Sequence, residues 1–316
     1  MQVPLTAKSD NALLPMKLAY FLPLLLVFAA CKSNTSPEEQ AVDTANAAYE
    51  KQPSDSTAAA LITAMDKYIQ AKGYADSTSA RYVLRSARIS SEHMQLDQAF
   101  TFYRDYLVEY ANRPDQADIL NETMALAARY KQPELDQVFY KSFVTQFPQD
   151  VRTSAFEAKI ENKSIAVDSI LRFIGMNMFN DSTFRLNEDR AELYIEACEA
   201  AVMANASLPN APEFLHRAAE TARTLRNIPK AIDLYDWIIE KYPTHARAST
   251  SLFLKAFTYD NDLKDFEKAG KYYHEFLSKY PNDEFAESAK FLLENLGKSE
   301  EELKQMLEAK SKDNVQ

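Results

Sequence analysis

Four histidines, two cysteines and a surplus of carboxylates are the groups in this chain that could do chemistry, and their spacing narrows the choice. His93, His216, His245 and His274 each stand without a second His or a Cys at metal-ligand spacing, so no metal site is expected. The chain has no G-x-S-x-G, no H-E-x-x-H and no P-loop, which leaves no nucleophile elbow, zincin helix or phosphate cradle. A glycosidase would need two carboxyl groups facing each other across a cleft. Here Asp and Glu are spread along helix-forming stretches and read as solvated surface. Cys198, inside ELYIEACEAAVMA, reads as a buried thiol packing as a small hydrophobe. Trp237 is either a stacking platform for a sugar or peptide or a wedge between helices, and the wedge is preferred. The reading is therefore non-enzymatic, with no cofactor.

Composition supports this. There are 46 acidic against 36 basic residues, a net charge of −10. Nucleic-acid binding calls for Lys and Arg gathered on one face. No such stripe exists, so no nucleic-acid partner is expected. Only four glycines occur in 316 residues: Gly73, Gly175, Gly270 and Gly297. Hairpins and nucleotide-binding turns need glycine for positive φ or close backbone approach. Their scarcity, with abundant Ala, Leu, Glu and Lys, predicts an all-α chain.

At the N-terminus, Met16-Lys17 precedes thirteen uncharged residues, LAYFLPLLLVFAA, and then Cys31. That is a basic region, a short apolar run and small residues before a cleavage point. The run falls short of the roughly 20 apolar residues that span a bilayer. Ala29-Ala30-Cys31 resembles the lipobox of bacterial lipoproteins, with Phe28 where Leu is preferred. The resemblance implies removal of residues 1–30, with Met16 as an alternative start, and membrane attachment through a lipidated Cys31. The alternative is an ordinary secretory signal that leaves a free thiol. By the same resemblance Lys32 after the Cys implies the outer membrane; the style of the sequence is Bacteroidetes-like, and Glu38-Glu39, too late after the Cys for a surface-export run, implies the periplasmic face. Residues 31–40 read as a flexible tether.

What must position any binding residue is a phrase that occurs twice. KAIDLYDWIIEKYP (230–243) and KAGKYYHEFLSKYP (268–281) each set a small residue, a Tyr four on, a large apolar residue seven on and a Pro twelve on. These are Ala231, Tyr235, Ile238 and Pro243, then Ala269, Tyr273, Phe276 and Pro281. Offsets of four and seven share one helix face, and Pro ends the helix. Copies 38 residues apart predict stacked helical units. The phrase resembles the second helix of the tetratricopeptide repeat (TPR), with Ile238 or Phe276 where Ala is usual. The resemblance implies a right-handed superhelix of antiparallel helix pairs, a TPR-like α-solenoid over 41–298. Degraded units are read at 77–110 and 117–147. Residues 152–205 fit worst and are expected to divide the solenoid. Between Ala256 and Ala269 one extra residue is expected to be absorbed at Asn261-Asp262. Residues 299–316 read as a last helix and a frayed tail.

In the TPR geometry the first helix of each pair lines a concave groove. That implies a stripe of Glu213, His216, Glu220 and Arg223, with Phe253 and Phe257 in the next unit and Arg81, Leu84 and Arg88 in an earlier one. The expected occupant is a protein or peptide segment. Residues 211–296 also resemble outer-membrane assembly lipoproteins, which implies a membrane-anchored scaffold for that machinery. The other reading is a glycan- or nutrient-binding lipoprotein, which usually has more aromatic loops than one Trp and few long loops provide. Nothing in the sequence fixes the oligomeric state.

Overall fold

The computed structural model describes residues 35–111, 113–179, 185–298 and 302. The lipidation candidate Cys31 and the final helix over 299–316 lie outside them, apart from Glu302. Fourteen α-helices follow one another among the described residues. The first half holds α1 (Pro37–Lys51), α2 (Asp55–Lys72), α3 (Ser77–Glu92), α4 (Leu96–Glu109), α5 (Gln116–Ala127), α6 (Pro133–Gln146) and α7 (Thr153–Glu157). The second holds α8 (Val167–Met176), α9 (Glu188–Ala204), α10 (Ala211–Thr224), α11 (Ile228–Lys241), α12 (Ala246–Phe257), α13 (Phe266–Lys279) and α14 (Ala286–Glu294). The only strand-like pairing among them is an isolated bridge, Phe179 to Leu186. No described helix is long and apolar enough to cross a membrane.

Four pairs are built alike: α3/α4, α5/α6, α10/α11 and α12/α13. Within each, the turn carries one non-glycine residue in the left-handed region: Met94, Lys131, Arg226 and Lys264, with φ between 55° and 62°. In two units the next amide reaches back five residues, Gln95 to the Ser90 carbonyl and Asn227 to the Ala222 carbonyl, both at 2.9 Å. That is the six-to-one bond that closes a helix C-terminus. Between units, an aromatic residue caps the second helix and its carbonyl accepts from three residues on, as Tyr110, Phe147, Tyr242 and Tyr280 do. In three of the four the following residue is Pro, which cannot extend the helix. The extra residue of the last unit sits in a π turn, Thr258–Asp262, so Asp265 reaches back six residues to Tyr259 instead of five. This is where the sequence expects it.

Three expectations are corrected. Residues 37–40 are not tether but the first turn of a helix, because α1 starts at Pro37. Ser36 accepts from the Glu39 amide while the Glu39 carboxylate accepts from the Ser36 amide, a reciprocal cap that fixes the first turn. The second helix of the last pair, read over 264–280 from the sequence, starts at Phe266, since Lys264 takes the left-handed turn conformation. And the irregular 152–205 region does not divide the core. Leu171 and Ile174 of α8 and ten residues of α9 join one continuous cluster from Val42 to Ile238. The apolar cluster changes later, at Leu252, where α12 to α14 build a smaller one.

The reason is α9. Twelve of its 17 residues are buried, and beyond its first turn only Glu192 and Glu196 reach solvent. A helix apolar over most of its circumference belongs inside. It packs on α4, α6, α8 and α10. An open solenoid touches only its neighbours. Here the unit containing α4 also meets the unit containing α11, and the chain curls around α9.

Candidate partner-binding site

The phrase residues are interior. Ala231, Tyr235, Ile238, Ala269, Tyr273 and Phe276 have no solvent exposure, and Pro243 and Pro281 lie exposed just past their helices. The tyrosines keep a polar end at the edge of the core. Tyr235 donates to Glu220, and Tyr273 to Asp260 at 3.4 Å. Tyr103 of α4 donates to Glu122 at 3.0 Å. Burial, with the adjacent carboxylates, holds all three hydroxyls protonated well above the usual tyrosine range. This explains the abundance of Tyr: the ring packs, and the hydroxyl ties one helix to the next. Cys198 is fully buried and unpaired, and Trp237 is buried beneath the Arg104 guanidinium, 5.6 Å from its ring centre. Both agree with the packing readings.

The expected groove charges mostly link neighbouring first-helices. Arg88 of α3 grips Glu122 of α5 with two bonds, 2.8 and 3.0 Å. Glu213 of α10 takes two 2.9 Å bonds from Arg247 of α12. Arg223 binds Asp262 at 2.7 Å. Glu220 is shared by the Tyr235 hydroxyl and, at 3.9 Å, Arg223. Arg81 is exposed and lies 5.5 Å over the Tyr82 ring, while Leu84 is half-buried. Phe253 is corrected outright. It is buried at 8% exposure and stacks on Phe285 at 4.8 Å, so it is core and not groove. Phe257 is half-buried under Arg223. Isolated helix periodicity shows which residues share a stripe, but not which of them the neighbouring helices cover.

Two features escape sequence reading. The first is an ion cluster where α4, α9 and α11 meet. Arg104 bonds Asp233, Asp105 at 2.7 Å and Glu199 at 3.2 Å, and Lys230 also holds Glu199, at 3.0 and 3.1 Å. The hint was a lone Glu199 inside the apolar α9 run. The second is an acidic cavity of about 670 Å³ beside it, lined by Asp97, Asp189, Glu192, Glu196, Glu199 and Lys230 among others. Burial first, then the Glu199, Asp97 and Glu192 charges, push the Glu196 carboxyl up to about 7. Among the described residues no group of three or more His, Cys, Asp and Glu is placed to hold a metal ion.

That raised carboxyl carries a sign. Between the unfolded value near 4.5 and about 7, the unfolded chain ionises at Glu196 while the folded one retains its proton. Stability from this group is therefore intact below pH 4.5 and lost as pH rises towards 7. Glu196→Gln should stabilise the protein at pH 8 by about 1–2 kcal/mol after allowance for solvent screening, and not at pH 4.5. Urea melts at the two pH values measure this; an equal gain at both would refute it.

A second cavity, of about 700 Å³, lies on the first-helix side and brings His216 and Glu220 together with Gly175 and Met176 at the end of α8, Phe179 just past it, and Tyr194. Here the predicted groove residues His216 and Glu220 meet open space.

With this geometry in view, a family model described as tetratricopeptide repeat matches residues 250–283. The match runs from within α12 through the π turn and α13 to the loop after Pro281. The chain contains a tetratricopeptide repeat there, within an all-α helical-repeat solenoid. The phrase at 268–281 falls inside it; the phrase at 230–243 precedes it. No curated protein matches the chain.

Proposed function

We propose that this protein is a non-enzymatic scaffold that holds protein partners on the side formed by its first-helices. The observation that carries this is the tetratricopeptide match inside a stack of like-built helix pairs. Such stacks present extended surfaces on rigid elements and need no catalytic group. Lipid attachment at Cys31 would place it on the periplasmic face of the outer membrane, with assembly of outer-membrane proteins as the narrower role.

Photo-crosslinking in native envelopes tests the scaffold. A crosslinking residue at position 81 or 257 should give defined protein adducts, and one at Glu240, on a second-helix, should not. Adducts from neither first-helix position would sink the reading. Cys31→Ser should move the protein from the membrane to the soluble fraction; unchanged fractionation would remove the anchor.

A further inference from the structure

We propose that the cavity between the end of α8, Tyr194 of α9 and α10 seats a segment of a partner protein in which a large apolar side chain is flanked by carboxylates. The inference rests on the scaffold reading and names the chemistry of its partner.

The argument starts at α8. One face, Leu171 and Ile174, has no exposure and anchors the helix in the core. Further apolar side chains at its C-terminal end are open: Phe173 is 60% exposed, Met176 79% and, just past the helix, Phe179 50%. Large apolar side chains grouped at one helix end on a soluble body mark a contact surface. Met is well suited to it, since its unbranched chain repacks around different guests. The surface slopes into the cavity, whose wall is the Tyr194 ring. Gly175 keeps that wall clear: a Cβ there would stand 3.0 Å from the ring. A space of about 700 Å³ takes a large side chain and its flanking backbone.

Charge then selects the guest. Among the described residues the rim carries Arg172, Arg217 and Arg247 against one acid, Glu220. That is a cationic mouth on a chain of net charge −10. Arg247 is held in place by Glu213, at 2.9 Å. Arg172 meets Asp168 of its own helix only loosely, at 3.9 Å. Among the described residues no carboxylate lies within ion-pair distance of Arg217. Beside it the buried Nδ1 of His216 has no hydrogen-bond partner. A basic segment would be repelled. A bare inorganic anion would gain nothing from Met176 and Phe179. A purely apolar segment would leave the Arg217 guanidinium without a carboxylate. A segment with both an apolar side chain and carboxylates satisfies the wall and the rim together.

The test uses the full chain and a fluorescein-labelled peptide of Glu and Leu around a central Phe, read by anisotropy. Two counterparts replace all Glu by Lys, or all Leu and Phe by Ser. The first peptide should bind saturably, more weakly as salt rises, and the counterparts at least about tenfold less well. Arg217→Glu and Met176→Glu change exposed side chains and should each weaken binding about tenfold or more, with circular dichroism unchanged. Equal binding of either counterpart, or affinity within about twofold in both variants, overturns the proposal. If the peptide fails while adducts from position 81 persist, only the pocket is wrong. If wild-type protein gives no adducts at all, the scaffold reading falls with it.

Discussion

Arg104→Met should destabilise the protein by about 3 kcal/mol at pH 7, because it removes the cation that three carboxylates share. Glu199 is the critical one: its side chain is only 3% exposed and cannot turn to water. Asp105 adds to the effect, since burial already raises its pKa despite the arginine beside it. Lys230 still reaches Glu199, which keeps the loss at the low end of what breaking a buried pair costs. The variant also leaves the Trp237 ring without its cover. The deficit should shrink as pH falls towards 5, because without Arg104 the buried Asp105 carboxyl takes up its proton in the folded state before it does in the unfolded one. It should also shrink when Glu199→Gln is added, because the charge left behind is then gone. Urea melts of the single and double variants decide this. A loss under about 1 kcal/mol, or one that does not vary with pH, would mean that the cluster does not hold α4 against α11.

Phe276→Ala should cost about 3–5 kcal/mol, with the damage confined to one end. Phe276 is fully buried and meets Phe253 at 5.7 Å and Tyr280 at 5.8 Å. It sits in the small cluster of α12 to α14, which has few other large buried side chains to close around a void. In a stack of repeats, stability is nearly a sum of units and their interfaces. The end unit should therefore open by itself. Hydrogen exchange should accelerate across α12, α13 and α14 while α9 stays protected. Uniform acceleration over the whole chain would show a single cooperative body instead.

The two variants probe parts of the molecule that differ in how readable they were. The phrase residues of the last unit repeat at helical spacing, and a Pro marks their end. That is local information, carried by side-chain size and backbone sterics. It sufficed for helix existence, for most boundaries to within a few residues, and for the burial of Tyr235, Tyr273 and Phe276. Even the extra residue at Asn261-Asp262 could be placed, because a repeat supplies its own ruler. The stripe through Glu213, His216, Glu220 and Arg223 was also legible as a stripe. Its electrostatic fate was not, because Arg247 and Asp262 come from the next unit, and only stacking brings them within bonding distance.

Phe253 shows the limit sharply. Its periodicity fits the groove stripe, yet Phe285, thirty-two residues on, folds over it. The Arg104 cluster is further out of reach, since Asp233 lies 129 residues away in the chain. The cavity above Tyr194 needed α8, which fits no repeat pattern, to be set against α10. By itself, then, the sequence determined an all-α stack of paired helices and the residues that cement each pair, because period, size and proline act within one helix or one turn. The tertiary structure alone decided that the stack curls around α9, which charges are spent on holding it and where open space remains. Those depend on residues far apart in sequence, whose meeting is set by packing and leaves no periodic trace.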